Sequence, residues 1–501
     1  TKTLTEDVIY AACYGGIMRT TDGGTTWNNV LGADVENCFN SEIIQGSAGT
    51  FYAAIGSVYD GTAPTQQGIW RSIDGSNWNK ISGVLFPKLV RRMKLATSES
   101  NENILYVLTE SPVEWVTPDT DFYTNNSLLK YTYLSGSGSG SGGKWEGLIS
   151  PYDYDPEAYY KSLGGYALVL AVHPEDPNQM IVGGTNLYYS ETGFDSPSNF
   201  VKIGGYPFNL QPGTLHPDMH ACLFSRKDHS KIYVATDGGI YTVPDISTVF
   251  DNWIYLSDGI ATAQVYHSAL DRETQGSDLI VSGLQDNNTF ATESHNSNDP
   301  WFVLSGGDGM TSAVANKGTQ VFGSWQYGAM ACFSRNSQNI TFDGYLPQPS
   351  PDAVSNFFTN FIIPPGSRAL YEAEGNELWR FNDISVIPAA LGYIKPDWTQ
   401  IPEVKTLLQV DSSFITTFGA ATNVSDRIYF GTNTARLYQI DNARDASPGI
   451  KNISGANFPK NGFIAGIEVD PINSDEIIVA FSNYNIESLF LRDAFVRQSA
   501  T

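Results

Sequence analysis

The segment Tyr233-Val-Ala-Thr-Asp-Gly-Gly-Ile-Tyr241 joins two short apolar strands through a tight turn, and its pattern runs through the whole chain. A short apolar strand closing on a small residue or Gly recurs at Tyr10-Ala-Ala, Tyr52-Ala-Ala, Tyr106-Val-Leu, Ile181-Val-Gly, Tyr233-Val-Ala, Ile280-Val-Ser, Val321-Phe-Gly, Leu370-Tyr-Glu, Tyr429-Phe-Gly and Ile478-Val-Ala. These are ten copies at a mean spacing of about 52 residues. Each is followed by a turn and a second strand, as in GIMR at Gly16, GIWR at Gly68, ELWR at Glu377, RLYQ at Arg436 and SLFL at Ser488. A third strand often begins at an aromatic: Trp27, Trp78, Trp145, Phe200, Trp253, Trp301 or Trp398. One more apolar strand precedes the unit, for example Ala167–Val172 or Phe463–Val469. Four short strands divided by turn residues, repeated at roughly 40–55 residues, describe the blade of a β-propeller. One four-stranded sheet cannot bury both of its faces, and stacking sheets in series does so. The expectation is an all-β propeller over residues 1–501, as one ring of about ten blades or two smaller propellers. The first unit has an unclear leading strand and the last lacks its final aromatic strand.

Composition narrows the function. Of 501 residues, 29 are Lys or Arg and 53 are Asp or Glu, a net charge of −24. Such a surface repels phosphate backbones and anionic lipid, so nucleic acid is excluded as an expected partner. No run of 18 apolar residues exists, so no membrane insertion is expected. The four cysteines form no CxxC pair, which argues against a zinc ribbon or a dithiol redox centre. Cys13 and Cys38 are close enough in sequence to pair, but four buried thiols are the plainer expectation. The chain starts at Thr1 without Met and reads as a processed form. Residues 109–165 interrupt the repeat with a Gly/Ser tract, Ser135–Gly143, expected to be flexible, and a Tyr-rich loop, Pro151–Tyr160.

Two segments match the Asp-box (BNR) repeat, S/T-x-D-x-G-x-T-W: Thr20-Thr-Asp22-Gly-Gly24-Thr-Thr26-Trp27 in full, and Ser72-Ile-Asp74-Gly-Ser-Asn-Trp78 one residue short. In each, the carboxylate can accept backbone N–H groups across a tight turn, glycine permits the turn, and Trp can pack between blades. Asp22, Gly24, Trp27, Asp74 and Trp78 are therefore read as structural. The boxes resemble those of sialidases, sortilin/Vps10 receptors, two-propeller xyloglucanases and photosystem assembly factors. The ordered segments HPDMHA (216–221), YVATDGGIY (233–241), LSDGIATAQVY (256–266), SGLQDNNT (282–289) and SGGDGM (305–310) resemble a group of secreted bacterial Asp-box proteins, many exported by type IX secretion. The resemblance implies a propeller and a secreted or cell-surface location. Sialidase chemistry is disfavoured, because the chain has few arginines and no R-I-P motif.

Chemistry is expected in two places. His216, Asp218 and His220 alternate, so an extended segment would put them on one face, as a ligand contact, a polar channel lining, or a site for Zn or Ca. Pro217 weakens the strand reading. Asp237, Asp286 and Asp308 sit in Gly- or Asn-rich turns of successive repeats. Gathered at one channel mouth, they would supply the carboxylates of a glycoside hydrolase or a calcium site. Taken singly, each is equally a turn residue. Gln285 and Asn287, beside Asp286, count as ligand contacts. The expected function is an extracellular binding or assembly module for a polysaccharide or cell-surface protein. The alternatives are a secreted glycoside hydrolase or lyase, and a sortilin-like peptide receptor.

Overall fold

The computed structural model describes residues 7–32, 40–57, 65–112, 124–154, 160–206, 213–248, 252–260, 262–336, 339–346, 348–349, 356–387, 397–459, 462–482 and 493–499. The chain forms two compact units, Thr1–Ile260 and Ala261–Thr501. Each carries five antiparallel sheets in sequence order. Eight sheets have four strands, the first and last have three, and a two-stranded ribbon at Ser111–Pro112 and Thr124–Asn125 is added to unit 1. These are the expected propeller blades, numbered 1–5 in unit 1 and 6–10 in unit 2.

In blades 2–10 the repeated segment is the second strand, from Phe51–Ile55 through Ile232–Thr236 and Ile280–Leu284 to Glu476–Ser482. Among the described residues, blade 1 has three strands and begins with Ile9–Cys13. Blade 10 runs Phe463–Val469, Glu476–Ser482 and Asp493–Ser499, so the third strand lies beyond the expected SLFL, which falls outside the described residues.

The alternation along these strands explains their apolar character, because both faces are buried. In blade 2, Ala53 and Ile55 pack with Ile17 and Leu31 of blade 1, while Tyr52 and Ala54 pack with Leu105 and Val107 of blade 3. Tyr106 and Leu108 then meet Leu170 and Met180 of blade 4, and Ile181 meets Ile232 and Val234 of blade 5. Unit 2 repeats the scheme: Val321 faces Val281 of blade 6, Phe322 faces Leu370 of blade 8, Tyr371 faces Ile428 of blade 9, and Tyr429 faces Ile464 of blade 10. The outer aromatics reach across blades: Trp145 Nε1 donates to Ile81 O (2.6 Å) and Trp253 Nε1 to Ile203 O (2.8 Å).

The Asp boxes are turns closed by their own carboxylates. Asp22 accepts from Thr26 N (2.9 Å), Thr20 Oγ1 (2.7 Å) and Thr26 Oγ1 (2.7 Å). Asp74 accepts from Ser76 N and Asn77 N, both at 2.8 Å. Hydrogen bonding to the ionised form holds Asp22 down at about 2, led by the Thr20 hydroxyl, and Asp74 lower still, led by the Asn77 N–H. Trp78 packs beside the layer between blades 1 and 2. Trp27 does not pack between blades. It is 39% exposed, with Nε1 tied to Gly24 O at 3.1 Å.

Two further expectations are corrected. The Gly/Ser tract is a defined hairpin connection in blade 3, between Leu128–Tyr133 and Gly143–Gly147. Tyr131 Oη donates to Gly138 O (2.8 Å), Tyr133 Oη to Gly136 O (3.1 Å) and Ser139 Oγ to Lys80 O (2.6 Å). These bonds outweigh the freedom that composition suggests. Of the thiols, Cys332 is buried and Cys222 half-buried, but Cys13 is exposed and free; Cys38 lies outside the described residues. Among the described residues, no helix is long and apolar enough to cross a membrane.

Candidate functional site

In unit 1, the loops of three blades meet at one exposed cluster. His220 stands on the leading strand of blade 5, Met219–Phe224, and Asp237 in the turn after Ile232–Thr236. His220 Nε2 and Asp237 Oδ1 are hydrogen-bonded. Tyr166, from the loop entering blade 4, donates its Oη to the same oxygen at 3.0 Å. Its ring meets the imidazole edge-on, with centroids 4.8 Å apart. Because the carboxylate only accepts, Nε2 carries the proton, and Asp237 fixes both ring and phenol. Tyr166 keeps 53% of its surface exposed.

The platform beneath belongs to blade 3. Arg92 Nη1 donates to Gly165 O and to Tyr166 O (2.9 Å), which fixes the loop. Gly165 is left-handed (φ +89°), and a Cβ there would sit 2.9 Å from Arg92 Cβ. The neighbouring Arg91 forms a fully buried forked pair with Glu110, whose carboxylate oxygens both accept from Nε at 3.0 Å. A buried pair of this kind is costly to break from one side.

His216 and Asp218 do not join His220. The strand starts only at Met219, Asp218 has φ +64°, and pairing slips between Met219 and Ala221, so the alternation fails. Asp218 instead straps two blades together through its backbone: its N–H donates to Thr185 O (3.1 Å) and its carbonyl accepts from Asp237 N (3.2 Å). The Nδ1 of His216 lies 3.0 Å from Pro217 O, and its ring packs on Gly238, where a Cβ would approach it to 2.5 Å. Among the described residues, no group of three or more His, Cys, Asp or Glu is placed to hold a metal. His216, Asp218 and His220 therefore do not form the expected Zn or Ca set.

In unit 2, Asp286 and Asp308 come together. Asp308 is 7% exposed; its Oδ1 accepts from Asp286 N (2.6 Å) and its Oδ2 from Gln326 Nε2. Asp286 is left-handed (φ +56°) with an exposed side chain. Gln285 N donates to Gln264 O (2.9 Å), and Asn287 Nδ2 to Gln285 O (3.0 Å). Nearby, burial pushes the Tyr266 phenol upward, and the charges of Asp308 and Asp286 add to this. The buried aspartate is thus a turn anchor, and the exposed one rides on it.

Sequence reasoning missed Tyr166, which lies 71 residues from Asp237 in an unpatterned loop. It also missed the Arg91–Glu110 pair and a cavity of about 580 Å³ among the leading strands of unit 2. Strong local signals existed for none of them.

No protein-family model matches the chain. No curated protein matches it either. Among solved structures, an ancestral GH74 enzyme superposes with a TM-score of 0.53 at 14% identity, over 98% of this chain and 67% of that one. The fold is that of a β-propeller. A GH74 enzyme of Niastella koreensis aligns over 94% of this chain and 78% of its own at 13% identity, with a TM-score of 0.37. YCF48 from Cyanidioschyzon merolae aligns over 66% of this chain and 95% of its own at 12% identity, with a TM-score of 0.32. At such identities the likeness is one of fold.

Proposed function

We propose that the protein is a non-catalytic binding module for a glycan, acting outside the cell or at its surface, with Tyr166, His220 and Asp237 as a contact patch. The observation that carries this reading is the commitment of the carboxylates. Asp308 spends both oxygens on the Asp286 N–H and Gln326, and Asp237 holds Tyr166 and His220 through one oxygen. Hydrolysis of a glycosidic bond needs one carboxyl to give a proton and a second to activate water or attack. Asp308, with both oxygens taken by donors within the fold, is a poor candidate for either role. An exposed tyrosine beside a fixed imidazole and carboxylate offers an apolar ring face and polar edges, which suits a sugar ring. The acidic surface favours neutral glycans over anionic ones.

A glycan array probed with the wild-type chain tests this. Binding to at least one polysaccharide class is expected, weakened about tenfold by Tyr166→Ala, as for a lost packing and hydrogen-bonding contact. A blank array contradicts the reading. The second reading is a secreted glycoside hydrolase, motivated by the pairing of Asp286 with Asp308 beside Tyr266. Turnover, addressed below, decides between them.

A further inference from the structure

The cavity of about 580 Å³ in unit 2 is lined by the leading strands of all five of its blades. Its volume is within the roughly 300–1,000 Å³ of small-ligand sites. Two features of its wall point to one ligand chemistry. First, His267, an exposed residue of the lining, accepts the Ser312 N–H through Nδ1 (3.3 Å), which requires that nitrogen to be unprotonated and leaves Nε2–H as a donor. Dense surrounding protein disfavours its charged form, and the Arg272 charge adds to this. Second, Tyr266 and Phe358 form an edge-to-face pair at 5.3 Å on the wall, next to Asn360.

The charged groups of the wall are already engaged. Arg272 pairs with Glu468 (3.4 Å), and Glu273 accepts from Lys317 N and Gly366 N, both at 2.9 Å. No charge in this wall calls for an ionic ligand. Neutral donors, neutral acceptors and aromatic faces together match a hydroxyl-rich, uncharged ring.

We propose that this cavity is a binding site for a neutral sugar unit, held by His267 and Asn360 against Tyr266 and Phe358. This rests on the glycan-binding reading and names a second place where that binding occurs.

The test uses the whole chain and neutral tetrasaccharides built from glucose, xylose or mannose, titrated by calorimetry up to about 1 mM, the range of weak specific binding. The expected result is saturable binding to one of the three. His267→Ala and Asn360→Ala should each weaken it about tenfold, while Ile472→Ala, at an exposed residue of unit 2 outside the cavity lining, leaves it unchanged. Should either cavity variant fail to fold, the wild-type His267 ring signals in NMR serve instead, and they should shift as the sugar saturates. No binding to any of the three, or binding with His267 signals and variant affinities unchanged, overturns the cavity site. The second of those outcomes leaves the glycan-binding reading standing, whereas release of new reducing ends overturns that reading and not the location.

Discussion

The turn after the second strand holds an aspartate in both blade 5 and blade 6, and the two side chains do different work. In blade 5, Asp237 lies at the surface and organises its neighbours, drawing in Tyr166 and His220. In blade 6, Asp286 is itself organised: its N–H is held by the buried Asp308, whose other oxygen takes Gln326. The same turn chemistry therefore yields a contact patch where the carboxylate reaches across blades. It yields a backbone clamp where the carboxylate comes from the loop entering the next blade. What separates the two is burial and the origin of the partners, neither of which is local in sequence.

The comparison can be broken first at the foundation of the exposed cluster. Glu110→Ala leaves Arg91 buried and unpaired, and should cost about 3–5 kcal/mol in urea denaturation. It should also release the Tyr166 loop. A loss below about 1 kcal/mol would mean that the pair is not the platform. Next comes Asp308→Ala, which strands the Asp286 N–H and Gln326 in a buried turn. A loss of about 1–3 kcal/mol is expected, and Asp308→Asn should lose less because it keeps an acceptor. Asp237→Asn, in the exposed turn, should cost under about 1 kcal/mol while weakening glycan binding. Equal stability losses for Asp237 and Asp308 substitutions would erase the distinction.

The smallest effect is a pH window. Asp22 is lowered from 3.8 to about 2, and Asp74 is lowered further. A carboxylate depressed in the folded state contributes stability above its unfolded pKa and loses it as pH falls through the folded one. Stability should therefore decline between about pH 4 and pH 2 in part through these two groups. Asp22→Asn with Asp74→Asn should flatten that part of the urea-midpoint profile, and an unchanged slope would show that the boxes do not bind as drawn.

The blades were legible because their signals are local. Nine of the ten repeated segments are second strands, and those packed between two blades are apolar on both faces. Asp22 and Asp74 were legible for the same reason, as their partners lie within four residues. The site was not. One left-handed residue, Asp218, and one slipped pair, Met219/Ala221, undo the alternation that grouped His216, Asp218 and His220. Tyr166, Glu110 and His267 gain their roles from contacts between blades or across a cavity, and no spacing announces such contacts.

The most direct test measures reducing ends. A panel of neutral polysaccharides is incubated with the purified wild-type chain while retention of each is followed in parallel. The account predicts that at least one polysaccharide is retained and that reducing ends stay at the protein-free level. Reducing ends that rise in proportion to protein concentration, and vanish in a folded Asp308→Asn variant, would contradict it.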